Sequence, residues 1–224
     1  MNNYTEILRH YWGYDTFRPL QKEIIEAVLA KKDVLALMPT GGGKSICFQV
    51  PALCMQGICI VITPLIALMR DQVEQLKKRN IKAVAIHSGL NNREIDILLD
   101  NCAYDTSIKF LYLSPERLKS DLFIERIKKI KICLLAIDEA HCIAQWGYDF
   151  RPAYLDIADF KKSLPPTPTI ALTATATPDV QLDIQEKLEL KNCQLFIKSF
   201  SRENLSYSCF EEENKLKKTI NILT

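Results

Sequence analysis

The sequence has no excess charge of either sign: 29 lysines and arginines stand against 27 aspartates and glutamates, a formal net charge of +2 over 224 residues. That total says nothing in favour of a nucleic-acid partner, because a binding patch is a local property. None of the 8 cysteines forms a Cys-x-x-Cys pair, so no zinc site is signalled. Most lie in apolar runs, such as Cys59 in GICIVIT and Cys133 in KICLLAID, where a thiol packs as a small hydrophobe. No run approaches the roughly 18 uninterrupted apolar residues of a membrane span. The first residues, MNNYTEILRHYWGY, lack the basic start and apolar stretch of a secretory leader. A cytoplasmic protein with reduced thiols and no membrane partner is expected. Internal repeats and low-complexity segments are also missing, and the composition does not suit a globally disordered chain.

What is present is a regular alternation of short apolar runs and amphipathic stretches. Tyr4, Ile7, Leu8 and Tyr11 share one face of a first helix. Pro19 is expected to open a second helix, lined by Leu20, Ile24, Ala27 and Val28. A strand over 34–38 leads into a helix starting at Lys44, which Pro51 should bend or end. Further strands are expected over 58–63, 83–86, 109–113, 132–137, 170–173 and 193–197, and helices over 65–79, 93–99 and 179–188. Strands alternating with helices predict an α/β fold of three layers with a mostly parallel central sheet. Runs such as ICIVIT and ICLLAI suit strands buried on both faces. Ligands in such sheets bind beyond the carboxyl ends of the strands, so the loops after Met38, Thr63, Leu113, Ile137 and Thr173 should share one functional edge. Pro165-Pro166-Thr167-Pro168 reads as a loop inside the domain, because a core strand follows at once. The domain is taken as 1–205. Residues 206–224 read as a linker and the start of a truncated second lobe, with a strand over 205–210 that has no core to join.

Two constellations carry chemistry. Met38-Pro39-Thr40-Gly41-Gly42-Gly43-Lys44-Ser45 stands between a strand and a helix. Glycines let consecutive backbone N–H groups surround phosphate oxygens, and the helix adds its positive dipole end. Lys44 can reach the β- and γ-phosphates of a bound nucleotide and Ser45 can ligate Mg²⁺. Asp138-Glu139-Ala140-His141 follows the apolar strand over 132–137. Mg²⁺ needs only one or two carboxylates, which Asp138 supplies. Glu139 can orient and deprotonate an attacking water, with His141 sensing the γ-phosphate region.

With these motifs in order, the sequence from Tyr11 to Leu205 resembles the RecQ family of DNA helicases, among the DEAH-box-like superfamily 2 motors. The resemblance implies a RecA-like first helicase lobe that binds ATP with Mg²⁺ and engages DNA. Tyr11 to Gln21 (YWGYDTFRPLQ) looks like the family's adenine-recognition motif: Gln21 offers a donor and an acceptor to the base, Tyr14 a stacking face, and Arg18 a cation over base or phosphate. Thr63-Pro64-Leu65-Ile66-Ala67-Leu68 and Ser114-Pro115-Glu116-Arg117-Leu118 are similar to strand-contacting motifs, although Thr63 and Ser114 serve equally well as plain helix caps. His141 to Pro152 (HCIAQWGYDFRP) looks like the family's aromatic-rich loop. There Gln145, Trp146, Tyr148, Phe150 and Arg151 would meet DNA, with Tyr148 where family members usually carry histidine. Thr173 and Thr175, in Ala171-Leu172-Thr173-Ala174-Thr175-Ala176, match the coupling motif. The resemblance also implies a partner: a second helicase lobe, missing from this chain, that closes over ATP. Without it, weak binding of ATP and DNA and no unwinding are expected.

Overall fold

Apolar strands set the architecture. Strands β1 (Val34–Leu37), β2 (Ile58–Ile62) and β6 (Thr169–Thr173) are buried at every position, and β4 (Ile108–Leu113) and β5 (Ile132–Ile137) nearly so. With β3 (Lys82–Ile86) and β7 (Gln194–Ile197) they form one seven-stranded sheet in the order β3-β4-β2-β5-β6-β1-β7. Every pairing is parallel, where the sequence predicted only a mostly parallel sheet. A computed structural model provides this view, and it describes residues 3–144, 149–199, 205, 206, 209, 211 and 214–223.

Successive side chains of a strand point to opposite faces, so each buried strand feeds two cores. Leu35, Leu37, Ile60, Ile62, Leu135 and Ile137 pack under α5 (Asn92–Tyr104), α6 (Asp121–Ile127), α7 (Asp156–Ser163) and α8 (Pro178–Lys187). Val34, Ala36, Cys59, Val61, Tyr112 and Ala136 pack under α2 (Gln21–Leu29), α3 (Lys44–Cys54) and α4 (Ile66–Lys78). Helix α1 (Asn3–Trp12) lies outside this layer, where Tyr4 and Leu8 meet Ile25 and Val50. A last helix, α9, spans Lys215–Leu223. Truncating one fully buried core leucine or isoleucine to alanine costs about 2–5 kcal/mol.

The amino ends of three strands are tied by one carboxylate. Asp33 Oδ1 accepts the Thr169 N–H at 2.9 Å; its Oδ2 accepts the Lys191 N–H at 2.8 Å and Lys161 Nζ at 2.9 Å. The starts of β1 and β6, and the approach to β7, are thereby held level.

Several local expectations are corrected. Pro19 does not open α2. Gln21 turns its own amide back to the Arg18 N–H at 2.9 Å, and Leu20 takes a left-handed backbone (φ 70°), so the helix begins at Gln21. Pro51 does not end α3; the helix continues to Cys54. Val50 and Ala52 are fully buried beside it, and that packing outweighs the missing backbone bond. Helix α5 is longer than expected at both ends: a reciprocal capping box between Asn91 and Glu94 starts it at Asn92, and it runs on to Tyr104, past the buried Cys102. Helix α7, not anticipated, buries Ile157 and Phe160. The strand expected over 205–210 falls largely outside the described residues.

Candidate nucleotide and DNA site

The phosphate loop leaves β1 and wraps into α3. The Met38 N–H donates to Thr173 O (3.0 Å), which holds the loop's first residue against the end of β6. Two glycines are dictated by space. A Cβ on Gly42 would stand 2.7 Å from Pro39 O, and one on Gly43, already at φ +80°, would run into the Gln21 amide nitrogen. Thr40 and Gly41 are exposed, whereas Gly43, Lys44 and Ser45 are half-buried at the helix mouth.

The adenine-motif residues sit on this loop. Gln21 is 1% exposed. Its Nε2 donates to Gly43 O (3.1 Å) and its Oε1 accepts the Arg18 N–H, so both ends of the amide are engaged by protein. Arg18 Nη1 donates to Gly41 O at 2.6 Å. Tyr14 is half exposed at the rim of the same cleft.

The acidic box lies across the cleft. The Asp138 N–H donates to Ile62 O (2.8 Å), extending the β5–β2 ladder by one bond, and then the backbone turns sharply. Glu139 adopts a left-handed conformation (φ 48°), a strained geometry of a kind that collects at functional sites. That turn aims the Glu139 carboxylate at Lys44 Nζ (3.9 Å) and His141 Nδ1 (3.3 Å). His141 Nδ1 also lies 2.8 Å from Thr173 Oγ1, which accepts the Thr175 N–H at 3.2 Å. A continuous polar chain therefore runs from the phosphate loop through the acidic box to β6. Asp138 is 7% exposed. Burial, then the neighbouring Glu139 charge, push its carboxyl above the usual carboxylate range, while Lys44 and a bond from Gln72 pull the other way.

One cleft of about 520 Å³ collects Tyr14, Arg18, Gln21, Thr40, Gly41, Gly43, Lys44, Ser45, Asp138 and Glu139. It also collects Trp12, Thr16, Ile46, Leu68 and Gln72, which sequence reasoning did not single out. Trp12 and Thr16 lie inside the quoted motif. Leu68 closes the quoted Thr63–Leu68 segment, whereas Gln72 carries no local signal, because only the folded position of α4 brings it to the rim.

Thr63 and Ser114 stand apart from this cleft, along the same edge. Thr63 Oγ1 and Ser114 Oγ are buried without a hydrogen-bond partner among the described residues, and neither hydroxyl caps a helix. Their plain capping role is therefore not what these positions provide. From the aromatic-rich segment, Arg151 Nη1 donates to Pro64 O (2.8 Å) and its N–H to Cys142 O (2.8 Å); Phe150 is half-buried. Tyr154, fully buried beyond it, donates to Asp138 O at 2.9 Å. Gln145, Trp146 and Tyr148 lie outside the described residues.

No helix among the described residues is long and apolar enough to cross a membrane. The family model of the DEAD/DEAH box helicases matches residues 18–183. The ATP-dependent DNA helicase RecQ of Bacillus subtilis is 47% identical over 211 residues, 93% of this chain and 36% of that protein. The ATP-dependent DNA helicase RecQ of Haemophilus influenzae is 45% identical over 206 residues, 92% of this chain and 33% of that protein. The chain thus spans about a third of the length of these relatives. In fold it superposes on the Hef helicase domain of Pyrococcus furiosus with a TM-score of 0.61 at 21% identity, covering 80% of this chain and 38% of that one. The chain belongs to the DEAD/DEAH box helicase family and shares 45–47% identity with these two RecQ helicases.

Proposed function

We propose that this chain is the ATP-binding first lobe of a DNA helicase in which DNA-stimulated ATP hydrolysis drives duplex unwinding. The observation that carries the proposal is the approach of Lys44 to Glu139 across one cleft, 3.9 Å between charged groups from two strand ends. A glycine-rich turn alone holds phosphate; a carboxylate facing it gives that phosphate a reaction.

In this reading the N–H groups of 41–45 and Lys44 hold the β- and γ-phosphates, and Thr40 lines the entrance. Tyr14 stacks on the adenine. Gln21 and Arg18 join the base pocket to the phosphate loop, which links base recognition to loop geometry. Ser45 and Asp138 would hold Mg²⁺, and the buried Asp138 next to Glu139 fits a cation, since two carboxylates face one lysine there. Bound Mg²⁺ neutralises charge on the phosphate oxygens. Glu139 orients the attacking water and takes its proton, with His141 and Thr173 fixing the carboxylate's direction.

DNA, as single strands and at duplex junctions, is read as the second ligand, held along the edge by Thr63, Ser114 and the aromatic-rich loop. Loop residues Gln145, Trp146, Tyr148, Phe150 and Arg151 stack on or pair with the strand. The bond from Arg151 to Pro64 and that from Tyr154 to the Asp138 carbonyl support a route from strand to acidic box. Residues 206–224 begin the linker to a second lobe. That lobe would supply an arginine finger, contributing a factor of about 10³–10⁵ in kcat, so the 224 residues alone bind ATP and DNA weakly and unwind nothing. The test compares ATPase activity with and without single-stranded DNA, for this chain and for a longer protein carrying both lobes. DNA stimulation only in the longer protein is expected; equal, unstimulated activity in both would overturn the proposal.

A further inference from the structure

Gln72 lies on α4, the helix that follows the Thr63-Pro64-Leu65 segment, and nothing in its immediate sequence marks it. Its amide is used at both ends. Nε2 donates to Asp138 Oδ2 at 3.2 Å, and Oε1 accepts the Tyr112 hydroxyl at 3.0 Å. Tyr112, on β4 and fully buried, in turn accepts Gln49 Nε2 at 3.4 Å. The donors all point one way: Gln49 to Tyr112, Tyr112 to Gln72, Gln72 to Asp138. A hydroxyl is both donor and acceptor, so each bond is compatible with the next.

This relay connects four elements that the site uses. Gln49 belongs to α3, the helix that begins at the phosphate loop. Tyr112 stands two residues before Ser114, and Gln72 six residues after Ile66. Asp138 is the carboxylate nearest the end of β5. Its other oxygen, Oδ1, is occupied by the Glu139 N–H at 3.0 Å. Gln72 is therefore the one side chain, among the described residues, that hydrogen-bonds the Asp138 carboxylate. It also lines the cleft.

We propose that Gln72 is a positioning residue: it sets the direction of the Asp138 carboxylate, and it transmits displacement of α4 by a DNA strand at Thr63–Leu68 to the nucleotide site. The physical reason is leverage. Asp138 has only two torsions, and a bond to Oδ2 fixes the second. Gln72 rides on a helix whose amino end is the strand-contacting segment, so a shift of that helix lengthens or shortens the bond. Groups that orient a metal-binding side chain from behind typically contribute 10–100-fold in metal affinity or activity. The inference rests on the proposed assignment of Asp138 to Mg²⁺.

The test uses the full-length, two-lobed protein with three variants. Gln72→Met keeps the length of the side chain and removes both hydrogen bonds; Tyr112→Phe removes only the hydroxyl that holds Gln72; Lys44→Ala is the control for the site itself. ATP affinity is measured with Mg²⁺ and with EDTA, and ATPase kcat and KM with and without single-stranded DNA. Expected for Gln72→Met is a loss of about 10-fold or more in the Mg²⁺-dependent part of ATP affinity, with affinity in EDTA unchanged. The DNA-stimulated kcat should fall by a similar factor, while the DNA concentration giving half stimulation stays constant. Tyr112→Phe should move both readouts in the same direction by a smaller factor. Should Gln72→Met and Tyr112→Phe match the parent protein within about twofold while Lys44→Ala is inactive, the relay is wrong and the site stands. Should Lys44→Ala remain active, the site assignment fails and the relay with it. Should Gln72→Met not fold, Tyr112→Phe decides alone: a normal Mg²⁺ dependence overturns the relay.

Discussion

Lys44 Nζ lies 3.9 Å from Glu139 Oε1, although the two residues are 95 positions apart and belong to different strand-to-helix junctions. Only strand β6 separates their parent strands β1 and β5 in the sheet. A triphosphate entering between them meets a cation on one wall and a candidate base on the other. Lys44→Ala should therefore abolish hydrolysis. Glu139→Gln should retain ATP binding and slow hydrolysis by about 10²–10⁴-fold, the usual contribution of a positioned general base. A nucleotide-binding titration beside a steady-state ATPase assay separates the two effects.

Asp138 couples stability to pH. Its carboxyl is raised in the folded state, first by burial and then by Glu139. A group raised on folding binds protons more tightly there than in the unfolded chain. Its stabilising contribution is complete below the unfolded value of 3.8 and is lost as pH rises through the folded value. At neutral pH the ionised group is a cost. Asp138→Asn should raise stability at pH 7, read as a higher Tm, while hydrolysis is lost. The gain should shrink towards pH 4, which thermal denaturation at several pH values measures.

His87 gives the opposite slope. Burial, then the Arg70 and Arg117 charges, lower its pKa below 6.5, with Glu94 opposing weakly. The unfolded chain then takes up a proton that the folded chain refuses, so stability falls as pH drops through and below 6.5. His87→Gln should flatten that part of the Tm-against-pH curve; an unaltered curve would remove His87 as its source.

Gly43→Ala tests the seat of the phosphate loop. Its left-handed backbone disfavours a Cβ, and the space is already taken by the Gln21 amide. A cost of about 1–3 kcal/mol is expected, together with a loss of ATP binding of at least 10-fold, read by calorimetry.

Arg151→Ala and Trp146→Ala should uncouple ATPase activity from DNA in the two-lobed protein. Basal turnover is expected to remain while stimulation by single-stranded DNA drops severalfold. Persistent full stimulation in both variants would release the aromatic-rich loop from its coupling role.

The residues that read most clearly from sequence are those whose function follows from local chemistry. Gly41-Gly42-Gly43-Lys44-Ser45 needs only a strand before it and a helix after it to face a phosphate, and both are encoded by adjacent apolar runs. The buried strands declared themselves in the same way, since a β-branched run with no polar alternation has to be covered on both faces. Helix ends were less legible. Pro19 is a fair opening signal, yet the Gln21 amide closing on Arg18 moved the start by two residues. The engagement of Gln21 by the Gly43 carbonyl was likewise invisible, because its partner is 22 positions away.

By itself, then, this sequence determined the alternation of elements, the strands buried on both faces and the glycine-rich and acidic segments that line the cleft, all consequences of side-chain chemistry within a few positions. Strand order belonged to tertiary structure alone. It put β6 between β1 and β5, which aligned Lys44 with Glu139 and His141 with Thr173, and it laid α4 so that Gln72 reaches Asp138. The physical reason is that hydrogen bonds and ion pairs act over about 3–4 Å, so contacts between residues tens of positions apart exist only after the sheet has chosen which strands are neighbours.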